Sequence, residues 1–168
     1  MTRFAAMLDA QIDHVAVAVH SVASAKPFFV DALGATFLFA GDNVRQGFRW
    51  AQFRFPYGGK IELVTPIGGD GFVQRFLDKR GEGVHHLTLK VPDIVAAIAH
   101  LESQGIEPVN VSIEHPSWKE AFIHPRDGHG VLVQVVQSAF SDEDTAEHHL
   151  RDHGTSDHRH LGLAELLG

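Results

Sequence analysis

Gly81-Glu82-Gly83-Val84-His85-His86-Leu87-Thr88-Leu89-Lys90-Val91 decides how the rest of this chain is read. Two adjacent histidines open an alternating apolar run. An earlier stretch, Ile12-Asp13-His14-Val15-Ala16-Val17-Ala18-Val19, has the same build. Successive side chains of a β-strand point to opposite faces. His14 therefore shares a face with Ala16 and Ala18, and His86 shares one with Thr88 and Lys90. His85 falls with Leu87, Leu89 and Val91 on the other face, the one expected to be buried under a helix.

The repeat runs on. Lys60-Ile61-Glu62-Leu63-Val64 and Val131-Leu132-Val133-Gln134-Val135 are two more strand-like runs, each with a polar side chain among apolar ones. Glu62 follows His14 by 48 residues and Gln134 follows His86 by 48, so both pairs are offset by 72. Equal separations of this kind mark two copies of one unit sharing a site.

Composition bounds the classes open to such a chain. At 168 residues it is one domain, or two small halves with a common core. The 44% hydrophobic and 21% charged content is that of an ordinary globular protein. With no cysteine, disulfides and thiolate metal sites are excluded, and a cytoplasmic setting is the expectation. No apolar run is long enough to span a bilayer, and residues 1–9 lack a secretory-signal pattern. The net charge of −7 is concentrated in residues 141–168, and no basic stripe exists for nucleic acid.

Taken in order, Ser24 is expected to cap a helix carrying Ala25, Phe28, Phe29, Ala32 and Leu33 inward, with Gly34 as its stop. Ala35–Ala40 reads as a strand, Asp42-Asn43 as a turn and 48–55 as a second strand. Residues 67–81 hold a linking helix, Phe72–Arg80. Asp93 caps a helix with Ile94, Ile98 and Leu101 on one stripe, and strands follow at 107–111, 118–124 and 131–136. The expected fold is α+β: two βαβββ modules, 10–66 and 82–138, pairing into one cupped, barrel-like mixed sheet with helices outside. Residues 139–168 read as an acidic tail holding five histidines (His148, His149, His153, His158, His160) and ending in a short apolar helix over 161–167. For its histidines a solvated helical arm is the expectation, ahead of a second metal site, and the short apolar helix is expected to dock on the body or on a partner.

Cup-facing parity selects His14, Glu62, His86 and Gln134, lined by Ala16, Ala18, Thr88, Val64, Leu132 and Val136. Two imidazoles, a carboxylate and an amide oxygen suit a borderline divalent ion: cobalt, nickel, zinc, manganese or iron. One strand-borne histidine is more often a hydrogen-bonded half-buried residue. Four candidate ligands at matched spacing and parity point to a metal. Glu62 and Glu120 are the carboxylates placed for proton transfer, Glu120 sharing the face of Trp118, Phe122 and His124. Trp50, Gln52, Arg54 and Trp118 are expected to contact substrate, Arg54 pairing an anionic group.

These segments, with Phe76–His86, Phe122-Ile123-His124-Pro125 and Gly130–Val133, resemble the vicinal-oxygen-chelate superfamily of glyoxalases, bleomycin-resistance proteins and extradiol dioxygenases. Within it the likeness is to the methylmalonyl-CoA epimerase family, and it spans residues 12 to about 137. The resemblance implies metal ligands at His14, Glu62, His86 and Gln134. It also implies two departures. The epimerase pattern has Glu at the position of Gln134 and often Gln at that of Glu62. A bulky segment, Glu114–Glu120, stands where the epimerases carry a glycine-rich loop near their acyl-CoA. The expected activity is a metal-dependent isomerase or lyase that enolises a carboxylic acid or acyl thioester. An Fe(II) extradiol-type dioxygenase built on His14, His86 and Glu62 is the rival enzyme, and a non-catalytic small-molecule binder the rival from another class. The expected partner is a small molecule such as an acyl-CoA, and a homodimer is the assembly entertained.

Overall fold

The structure is a computed structural model describing residues 8–139 and 158–167, the side chains of 158–160 excepted. These residues fall into two compact units, one of 8–13 and 86–139, the other of 14–85 and 158–167. Each unit is α+β. The chain passes from one to the other inside two strands, β1 (Gln11–Ala18) and β5 (Gly83–Lys90).

In the unit of 14–85, β1 leads into α1 (Val22–Lys26), which continues as a π-type turn over Pro27–Ala32. Then come β2 (Thr36–Asn43), β3 (Phe48–Arg54), β4 (Lys60–Pro66) and α2 (Phe72–Arg80). The strands lie in the order β1-β4-β3-β2, with β1 and β4 parallel and the other pairs antiparallel. One sheet face meets α1 through Val22, Ala25, Ala51, Phe53, Ile61 and Leu63. On the other face Ala18, Val64 and Trp50 meet Val73 and Leu77 of α2.

Phe28 and Leu33, expected to face inward, are instead 58% and 46% exposed, and three further sequence expectations change here. The cap of α1 is Ser21, not Ser24: Ser21 is extended, and its Oγ accepts the Ser24 N–H at 3.0 Å. Asp42 and Asn43 belong to β2, and the turn falls at 44–47. Asp42 stands opposite Arg49 across the hairpin and accepts two hydrogen bonds from its guanidinium, at 2.7 and 3.1 Å. That pair draws the strand past the point where Asp-Asn chemistry suggests a turn. Finally, residues 158–161 form a strand, β9 (His158–Leu161), which pairs antiparallel with the edge of β2. The short helix α4 (Leu163–Leu167) follows, and Leu161 and Leu166 are buried in the cluster around Val22 and Ala25. The end of the tail is thus packed, whereas its stretch 140–157, with His148, His149 and His153, lies outside the described residues.

The unit of 86–139 repeats the order with β5, α3 (Ile94–Ser103), β6 (Val109–Ser112), β7 (Trp118–Ile123) and β8 (Val133–Ser138). Asp93 caps α3 as its sequence predicts, accepting the N–H groups of Val95 and Ala96, both at 3.0 Å. Strand order is β6-β7-β8-β5, with β5 and β8 parallel. Ile94, Ala97 and Leu101 of α3 pack on Ala121 and Val135, which leaves Glu120, Phe122, Gln134 and Val136 on the opposite sheet face. Among the described residues no helix is long and apolar enough to cross a membrane.

Candidate functional site

In the unit of 14–85 the parallel pairing of β1 with β4 sets Ala16 beside Glu62, which places His14 and Glu62 on one face. Both are buried, and Ala16 and Ala18 beside His14 are fully buried small residues. His14 Nε2 lies 3.6 Å from Glu62 Oε2. Gln52, the cross-strand partner of Glu62, donates its Nε2–H to the same oxygen at 2.9 Å. The carboxylate is therefore oriented by a carboxamide and has an imidazole beside it.

This geometry bears on a metal. An N···O separation of 3.6 Å is too long for a hydrogen bond. It is near the roughly 3.0–3.5 Å between two ligand atoms that share one ion at bond lengths of about 2.1 Å. Ligating carboxylates also carry an outer hydrogen-bond donor, as Gln52 is here. A buried imidazole and a buried, oriented carboxylate fit a divalent cation.

In the unit of 86–139, β5 and β8 bring Thr88 opposite Gln134. Thr88 Oγ1 donates to Gln134 Oε1 at 2.7 Å, and Gln134 Nε2 donates to Glu120 Oε2 at 2.7 Å. Trp118 Nε1 donates to the same Glu120 oxygen at 3.1 Å. Glu120 thus takes two N–H donors on Oε2. His86, 7% exposed, shares the strand face of Thr88. The amide oxygen of Gln134 keeps a second lone pair, so accepting from Thr88 does not prevent it from ligating a cation.

The remaining candidates are placed as follows. Trp50 sits two residues from Gln52, edge-on to Phe39 with ring centroids 5.8 Å apart, and joins the apolar cluster beneath α2. Arg54 is paired across the strands with Lys60, and among the described residues its buried Nη2 makes no hydrogen bond. His85 turns to α2, with its ring centroid 5.4 Å from that of Phe72 and 4.9 Å from that of Phe76. Burial among these rings lowers its pKa to about 4. The sequence reading named Thr88 only as a lining residue. Its hydroxyl, two residues after His86 on the same face, was the available signal for a larger part.

Comparison with known proteins places this architecture. The chain is 30% identical over 129 residues to the uncharacterized protein YqjC of Bacillus subtilis, covering 76% of this chain and 91% of that one. It is 32% identical over 133 residues to the mitochondrial methylmalonyl-CoA epimerase of Mus musculus, covering 76% and 73%. The crystal structure of methylmalonyl-CoA epimerase from Mycobacterium tuberculosis superimposes with a TM-score of 0.73 at 32% identity, over 83% of this chain and 95% of that one. Residues 13–122 match the family model, and the chain belongs to the Glyoxalase/Bleomycin resistance protein/Dioxygenase superfamily.

Proposed function

We propose that the protein is a metal-dependent isomerase that exchanges the proton α to a carbonyl of an acyl thioester, in the manner of a methylmalonyl-CoA epimerase. Each unit offers one carboxylate held by one carboxamide: Glu62 by Gln52 and Glu120 by Gln134. That observation carries the reading. Epimerisation needs one group to take the α-proton and another to return one, and oriented carboxylates suit both tasks. The likeness to methylmalonyl-CoA epimerases supplies the substrate class.

His14, Glu62, His86 and Gln134 are the proposed metal ligands. His14, Glu62 and His86 are each buried, and imidazole and carboxylate are donor types that divalent ions take. A divalent ion bound there would lend positive charge to the developing enolate, the demanding part of the reaction. The chain's own residues do the rest. Glu62 and Glu120 hold and release the proton. Gln52 and Gln134 keep those carboxylates aimed, and Trp50 and Trp118 supply apolar walls. Arg54, with a buried donor to spare, receives an anionic group of the substrate. The repeat 10–66 and 82–138, joined by 67–81, supplies two equivalent modules to this site. A cytoplasmic setting and a homodimer complete the reading.

The test is methylmalonyl-CoA in deuterium oxide, with α-deuterium followed by NMR. Wash-in by the parent protein and its loss in Glu62→Gln and Glu120→Gln are expected. Undiminished exchange in both variants would remove the two carboxylates from the chemistry.

A further inference from the structure

We propose that Thr88 is a positioning residue: its hydroxyl decides how the Gln134 carboxamide is presented, and through it where Glu120 is held. The proposal rests on the reading of Glu120 as a proton-transfer group and goes one residue beyond it.

The oxygen and nitrogen of a carboxamide have nearly the same shape, so its orientation is set by its partners. An ionised carboxylate only accepts, so Glu120 draws the amide N–H₂ end toward itself at 2.7 Å. The carbonyl end then faces Thr88, whose hydroxyl donates at 2.7 Å. Direction runs one way along the chain: Thr88 gives to Gln134, and Gln134 gives to Glu120. Thr88 is fully buried, and Gln134 is 8% exposed. Without the hydroxyl the amide oxygen loses this donor, and the carboxamide is held toward Glu120 from one end only in the metal-free protein.

The duplicated unit sharpens the point. Ala16 is the counterpart of Thr88 under the 72-residue offset, and it has no hydroxyl. There the last strand carries the carboxylate Glu62, which Gln52 aims from β3. In the second unit the last strand carries the amide and β7 the carboxylate. The hydroxyl occurs beside the amide and not beside the carboxylate. A Thr that served packing alone would have no reason to follow that exchange.

Thr88→Val keeps the shape of the side chain and removes the proton; Thr88→Ser restores it. Two readouts separate positioning from mere packing. In the metal-free protein, the Gln134 side-chain N–H₂ resonances should exchange with solvent faster in Thr88→Val than in the parent, and at the parent rate in Thr88→Ser. With methylmalonyl-CoA, kcat for α-proton exchange should fall about tenfold in Thr88→Val while KM stays within about threefold, and Thr88→Ser should recover most of it. Should Thr88→Val not fold, Thr88→Ala carries both measurements. Parent-like N–H₂ exchange and parent-like kcat in the variant without the hydroxyl would overturn the proposal. Unchanged turnover in Glu120→Gln would instead overturn the underlying reading, and the N–H₂ measurement would still stand as a test of Thr88.

Discussion

Gln134 hands its side-chain N–H to Glu120 across β8 and β7 at 2.7 Å, and this bond replaces at position 120 the carboxylate that position 134 lacks. The other unit makes a similar bond from the other strand: Gln52 on β3 donates to Glu62, directly opposite it on β4, at 2.9 Å, whereas Gln134 stands opposite Phe122 and reaches Glu120 diagonally. Each half therefore keeps one carboxylate and one carboxamide on its sheet face. Read from the last strands alone, the second half had lost its acid. Read across the strand pair, it has moved it by one strand.

Glu62 is the one anionic member of the proposed ligand set, so Glu62→Gln should weaken divalent-metal binding by about a hundredfold or more in competition titrations. The double variant Glu62→Gln with Gln134→Glu restores the count and charge of the donors and should bind about as tightly as the parent. Parent-like affinity in Glu62→Gln alone would remove Glu62 from the ligand set.

His85 and His86 are adjacent, yet they should behave as opposites. His14→Ala and His86→Ala should each abolish metal uptake, measured by elemental analysis after purification without chelator. His85→Ala should retain it, because the His85 ring packs on Phe72 and Phe76 of α2. If His85→Ala lost the metal while His86→Ala kept it, the strand parity assigned to β5 would be wrong by one residue.

Much of this was legible in the sequence because strands have a period of two. Parity alone put His14 with Ala16, His86 with Thr88 and Glu120 with Phe122, and each placement agrees with the strand registers. The 72-residue offset gave the βαβββ order of both halves. What escaped was set by partners distant in the chain. Asp42 reads as a turn residue until Arg49 stands opposite it. Residues 158–161 carry no apolar alternation, and they become a strand because the edge of β2 offers unpaired backbone groups. Thr88 reads as lining because parity puts its hydroxyl on the His86 face but does not name its acceptor, which lies 46 residues away in the chain.

The packed end of the tail makes its own prediction. Deleting residues 141–168 should leave metal stoichiometry unchanged, since all four proposed ligands precede it. It should lower stability by about 3 kcal/mol or more, because Leu161 and Leu166 leave the cluster around Val22 and Ala25. Leu166→Ala alone should cost about 2–3 kcal/mol in urea unfolding. Loss of one metal equivalent on truncation would show that the tail histidines hold an ion.

The most direct test joins the metal to the proton. Protein stripped by chelator, and the same protein reloaded with cobalt, would be compared for deuterium wash-in at the α-carbon of methylmalonyl-CoA. The account predicts one equivalent of metal per chain, exchange lost on stripping and regained on reloading. Equal exchange with and without metal, or none from the fully loaded protein, would contradict it.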